Sequence, residues 1–155
     1  MQRIVGFAWL GMIVALGGCL GVETYRERMP APTLAIRLVA IDPQDAEVLP
    51  RLSGDTSELL AIERAEVVGS ENIRRVRLLD AAQGVRVLVL EVDEIGRARL
   101  EEASRAHIGG RMAVVVDGRV VAAPTILNPL TEREVYVSVA EPDVERAFGA
   151  ISASE

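Results

Sequence analysis

Residues Asp93 to Asn128 read DEIGRARLEEASRAHIGGRMAVVVDGRVVAAPTILN, and this stretch decides the fold class. Asp93 is a helix-capping residue type, because its carboxylate can accept from the unpaired amides of a first turn. Behind it, Gly96, Leu100, Ala103 and His107 recur four, three and four apart. Arg97, Arg99, Glu101, Glu102 and Arg105 fall mostly on the opposite side, so the spacing predicts an amphipathic helix from about Glu94 to Ile108. Gly109-Gly110 supplies the left-handed ending that such a helix needs. Arg111 to Val116 then reads as a buried strand, Asp117-Gly118 as a tight hairpin turn, and Arg119 to Ala122 as the antiparallel return that Ala123-Pro124 ends.

The flanks extend this alternation of a helix with paired strands. Upstream, Arg74 to Asp80 and Val85 to Val92 enclose Ala81-Ala82-Gln83-Gly84, a short glycine-containing connection typical of a hairpin. The second of these strands is apolar on both faces and is expected to lie centrally, covered on two sides. Further upstream, Leu34 to Ile41 alternates as a strand, with Leu34, Ile36, Leu38 and Ala40 on one side and Arg37 on the other. Pro43 to Ser57 shows no clear period, Glu58 to Glu63 is a short strand, and Ser70-Glu71-Asn72 caps one helical turn. Downstream, a loop through Asn128-Pro129 leads to a strand from Glu134 to Val139. A last helix starts at Pro142, with Val144, Ala147, Phe148 and Ile151 as its apolar stripe. Residues 34–155 therefore read as one α+β domain, a sandwich with two main helices on one face of a mainly antiparallel sheet.

The first eighteen residues have a different character. Arg3 precedes an apolar run from Ile4 to Leu16, too short for a bilayer-spanning helix of roughly 20 residues and ordered like a secretory signal. The run ends in Leu16-Gly17-Gly18-Cys19, which resembles the lipobox of bacterial lipoproteins. That resemblance implies cleavage between Gly18 and Cys19, a diacylglycerol on the Cys19 thiol, and residues 19–33 as a tether that Pro30 and Pro32 stiffen. It also places the domain in the cell envelope, facing the periplasm. Leu20 is not the aspartate that retains some lipoproteins at the inner membrane, which favours the outer one.

Composition narrows the chemistry. The chain is half hydrophobic, enough for a core, and carries a net charge of −6 with arginine as its only strongly basic residue. Beyond the signal the aromatics are Tyr25, Tyr136 and Phe148. Nucleic-acid readers need a basic face and stacking rings, so that class is excluded. Cys19 is the single cysteine, so no internal disulfide or cysteine metal cluster is expected. His107, the single histidine, reads as a packed or capping residue, and Ser104 on the same helix sits on no strained nucleophile elbow. Glu101-Glu102 and Asp93-Glu94 read as solvated or helix-start charges. No catalytic residue, cofactor site or metal site is expected, and the chain reads as a binding or accessory module.

From about Leu59 to Ile151 the chain resembles the periplasmic head of the protein-export subunit SecD. The resemblance rests on Gly96, Leu100, Ala103, Ser104 and Gly109 in the helix, then on Ala113 to Val116, Asp117, Gly118, Val120, Val121, Ala122, Ala123 and Pro124. It implies a ferredoxin-like arrangement of two helices on an antiparallel sheet. Thr131 to Tyr136 lacks the glycines of that family, so the surface built there differs, and nothing after Leu20 could span a membrane as the proton-coupling helices of SecD do. The implied role is an accessory factor that binds an exported polypeptide or an envelope protein by adding a strand at a sheet edge, with Glu134 to Val139 and Tyr136 as the candidate edge. A structural subunit of an envelope complex and an unrecognised hydrolase are the alternatives.

Overall fold

The computed structural model describes residues 24–52, 58–80, 86–139 and 143–153. Within them run β1 (Thr24–Arg28), β2 (Ala35–Val39), β3 (Ala46–Pro50), β4 (Leu59–Val68), β5 (Ile73–Asp80), β6 (Arg86–Val92), α1 (Glu94–Ala106), β7 (Met112–Val116), β8 (Arg119–Ala122), β9 (Glu134–Ser138) and α2 (Val144–Ile151). The α+β class holds, with antiparallel ladders and two helices. The described strands, however, divide between a four-stranded sheet, ordered β1-β5-β6-β9, and a five-stranded one, ordered β3-β4-β2-β7-β8. The reason lies in β7, buried at every position, and in β2, which is apolar on both sides of Arg37. Such strands need cover on two faces, which a single sheet with helices on one side cannot give.

The five-stranded sheet curls until its outer strands meet. Leu52, just after β3, donates its backbone N–H to the Val120 carbonyl at 2.9 Å, and Arg51 bridges Val120. Register shifts between β2 and β4 supply the local bends that such curvature requires. Leu49, Leu60, Ile62, Ala113, Val115 and Val120 fill the inside of this small barrel. The alternate residues Ile36, Leu38, Met112, Val114 and Val116 point the other way, into the main core. There they join Val76, Leu78, Leu88 and Leu90 of the four-stranded sheet, Leu100 of α1, and Phe148 and Ile151 of α2.

α1 begins as its sequence requires. The Asp93 carboxylate accepts from the Gly96 N–H at 2.8 Å, and Asn72 donates to the other carboxylate oxygen at 3.1 Å. These bonds hold the Asp93 carboxyl below the usual carboxylate range, the Gly96 amide contributing most. α2 packs on β5 and β6 through Val144, Ala147, Phe148 and Ile151, the stripe expected for it. The expected start at Pro142 lies outside the described residues.

Two segments differ from the sequence reading. Residues 24–33, expected within the tether, are part of the domain: β1 pairs with β5 along its whole length, and the Ala31 N–H donates to the Ile151 carbonyl at 2.7 Å. The sequence Thr24–Arg28 shows no apolar period because its contact with the core is made by guanidinium groups. Arg26 and Arg28 lie over the Phe148 ring at 5.3 and 5.5 Å from its centroid. β3 is the second, a strand in a stretch that showed no period, with Leu49 as its one buried side chain.

Candidate functional site

The residues that carried the family resemblance converge on the segment between Ala123 and Leu130. Ser104, fully buried on α1, accepts from the Leu130 N–H at 2.8 Å through its hydroxyl oxygen and donates to the Glu101 carbonyl at 3.2 Å. Gly109, at φ +84°, donates its N–H to the Ile126 carbonyl at 2.8 Å, and Ile126 donates back to the Gly110 carbonyl at 2.8 Å. The Pro124 carbonyl accepts from Met112 at 3.0 Å, and the Ala123 carbonyl accepts from the Arg111 side chain at 2.9 Å. Gly96 lets α1 lie close to β6 and the turn at Asn72, since a Cβ there would stand 3.0 Å from the Val92 Cβ and 3.2 Å from the Asn72 carbonyl oxygen. Leu100 is fully buried beneath it. Asp117 and Gly118 both take positive φ, as a two-residue turn of this hand demands, and the Asp117 carboxylate accepts from the Thr33 hydroxyl at 2.5 Å.

Held in this way, residues 124–130 form one wall of a cleft of about 240 Å³, and β9 forms the other. Its lining is mainly apolar: Met112, Ile126, Leu127, Leu130, Tyr136 and Val137. Leu127 is 74% exposed and Tyr136 59% exposed, large apolar surfaces at the mouth. Among the described strands β9 pairs only with β6, so it is the edge of its sheet where it meets the cleft. The Val92 N–H donates to the Arg133 carbonyl at 2.8 Å, which fixes the phase of the ladder. By alternation the backbone groups of Val135 and Val137 face β6, and those of Glu134 and Ser138 face the opposite side.

A charged rim adjoins this mouth on the outer face of the sheet. Glu134 pairs with Arg77 and accepts from the Tyr136 hydroxyl at 2.6 Å, and these contacts, the tyrosine first, hold its carboxyl below the ordinary glutamate value. Glu94 is held down likewise by Arg97 at 2.5 Å and Arg133 at 2.9 Å. The side of β6 away from the core carries Val87 and Val89 with Glu91 beyond them, and Val89 is fully buried there between the neighbouring strands.

Tyr136 therefore lies on an edge strand, where the sequence reading put it, while Leu127 and Ile126 were passed over as loop residues. Their signal was available: two consecutive apolar residues within a proline-bounded loop have no reason to be apolar unless they line something. His107 ends α1 and donates from Nδ1 to the Ala103 carbonyl at 2.8 Å, a capping bond. Among the described residues no three acidic, histidine or cysteine side chains gather as metal ligands. Gly18 and Cys19 lie outside the described residues.

The chain joins a helix-braced barrel to a sheet whose edge strand borders an apolar cleft. The profile of the SecDF P1 head subdomain matches residues 46–145, and the chain belongs to that family. Protein translocase subunit SecDF of Brucella abortus biovar 1 (strain 9-941) is 27% identical over 125 residues, which are 81% of this chain and 16% of that protein. The chain thus spans about a sixth of that relative's length. Two solved structures share the fold, each with a TM-score of 0.58. One is of SecDF as a membrane component that enhances protein export, at 19% identity over 79% of this chain and 61% of that one. The other is SecDF in a super-membrane-facing form, at 20% identity over 76% of this chain and 18% of that one. No described helix is long and apolar enough to cross a membrane.

Proposed function

We propose that this chain is a non-catalytic accessory module of protein export, anchored through a lipidated Cys19 in the periplasm-facing envelope, and that it holds an extended polypeptide in the cleft between β9 and residues 124–130. The observation that carries the reading is the pairing of an edge strand with an apolar, solvent-open wall. Backbone alignment along β9 supplies affinity that is indifferent to sequence, and the apolar wall favours segments not yet buried in a fold. The family relationship supports the link to export, and the lipobox-like Leu16-Gly17-Gly18-Cys19 supports the anchor, with Leu20 favouring the outer membrane.

The test uses Leu127, whose exposure lets it be changed without touching the core. Leu127→Asp is expected to keep its thermal midpoint and to weaken binding of a fluorescent, unstructured apolar peptide by about tenfold or more, the scale of one lost anchor contact. Equal peptide affinity in the two proteins overturns the cleft as the binding site. Capture of one constant partner, with no binding of generic peptides, favours a structural subunit instead. Cell fractionation of Cys19→Ser tests the anchor: the variant is expected to leave the membrane fraction.

A further inference from the structure

One face of the β3–β4 hairpin is apolar and has no cover among the described residues. Pro50 pairs with Leu59 and Val48 with Ala61. Val48 is 58% exposed, Leu59 62% exposed, and Pro50 is exposed beside them, while the alternate residues Leu49, Leu60 and Ile62 fill the barrel. In a chain of which 26% is charged, a hairpin whose tip is apolar on both faces, with Glu47 and Glu63 only at its far end, is a feature to be explained.

The position of this hairpin supplies the explanation. Thr24 pairs with Asp80, Asp80 with Arg86, and Val87 with Ser138, so these residues make one end of the four-stranded sheet. At that end Ser138, Val139 and Asp143 share a cavity of about 260 Å³ with Arg51 and Leu52. Arg51 in turn donates its N–H to the Glu58 carbonyl at 3.3 Å and pairs with the Glu58 carboxylate at 3.0 Å. Pro50 and Leu59 are the adjoining residues, so the apolar hairpin face starts at the end of the domain where β1 begins. Cys19 is five residues before Thr24 and cannot stand farther from it than roughly 17 Å, the extended reach of the backbone.

We infer that the hairpin face of Val48, Pro50 and Leu59 rests on the bilayer surface that holds the lipidated Cys19. This rests on the lipid-anchor reading above. The bilayer is the occupant because the short reach of the chain brings this end of the domain to the headgroups whatever else binds. The net charge of −6 removes the alternative of adhesion to anionic lipid by basic residues, which leaves apolar contact. In this pose the opposite end of the sheet, where β6 meets α1, faces away from the membrane.

The introduced probe is tryptophan, since the only one in the sequence, Trp9, belongs to the segment that the signal reading removes. Leu59→Trp, Val48→Trp and Ile95→Trp, all at exposed sites, are purified as the full lipidated protein and reconstituted into phosphatidylethanolamine–phosphatidylglycerol vesicles containing brominated acyl chains. Ile95, 57% exposed at the start of α1, is the distal control. Bromolipid quenching on the order of twofold or more stronger at positions 48 and 59 than at 95 is the expected result, for side chains seated at the interface. Mass analysis of the N-terminal peptide reports the anchor separately. A lipidated Cys19 with equal quenching at all three sites overturns the membrane pose alone, and an unmodified Cys19 overturns the anchor and the pose with it.

Discussion

Ser104→Ala removes one oxygen atom from a fully buried site, and its cost can be worked from two bonds. The hydroxyl oxygen accepts from the Leu130 N–H, at 2.8 Å, and the hydroxyl proton goes to the Glu101 carbonyl, at 3.2 Å. Loss of the second bond costs little, because carbonyls of a helix already have partners within it. Loss of the first leaves a partly buried N–H without an acceptor, which costs about 1–3 kcal/mol. Alanine returns roughly 0.5 kcal/mol of helix propensity relative to serine. The net destabilisation is about 0.5–2.5 kcal/mol, or a fall of about 2–10 °C in thermal midpoint for a domain of this size. Urea unfolding measures the free energy, and amide exchange locates it. Because Leu130 is tied to α1 by this bond, its amide is expected to lose more protection than those of Leu88 and Leu90, which exchange through global unfolding and should quicken only by the roughly 2–70-fold that the net destabilisation implies. A variant with wild-type stability and unchanged exchange at Leu130 would falsify the claim that Ser104 holds the cleft wall.

Other expectations follow from the same contacts. Phe148→Ala empties a buried site and removes the ring beneath Arg26 and Arg28, so a loss of about 3–5 kcal/mol is expected in urea titrations. Gly118→Val forces a β-branched residue to φ +68° and is expected to cost about 1–3 kcal/mol; a neutral result would mean that the turn relaxes. Asp93 carries a sign in pH. Its folded carboxyl is held below its unfolded value, so its contribution is complete above the unfolded value and is lost as pH falls through the folded one. Urea midpoints taken between about pH 6 and pH 2 should therefore fall more for the wild type than for Asp93→Asn, and parallel curves would remove Asp93 as the source.

What could be read in the sequence was local, and what could not was contact between distant segments. α1 announced itself through Asp93 at one end and Gly109 at the other, and the β7–β8 hairpin through Asp117-Gly118, because each signal acts within a few residues of itself. β2 and β7 were found as strands, but their division of the molecule into two sheets was not. That depends on pairing Ala35 with Val115 across eighty residues, and no period within either strand encodes it. β1 escaped because its inward side chains are arginines that cover Phe148, a contact that a scan for apolar alternation cannot register. In the cleft, Tyr136 was reached through the strand from Glu134 to Val139 that carries it. The opposing wall, with Leu127, was not, since its shape comes from bonds to Ser104, Gly109 and Gly110 in another element.

The stretches that follow β1 and α2 are tied to each other. Ala31 donates to the Ile151 carbonyl at 2.7 Å, and Ala153 donates to the Met29 carbonyl at 2.8 Å. These bonds work as a clasp, so that the chain after β1 and the chain after α2 are held to one another at one end of the sheet. A pull on the chain beyond Ala153 would load these few bonds before any force reached the barrel. A head of this build is thus suited to bear tension at that end with its cleft geometry unchanged.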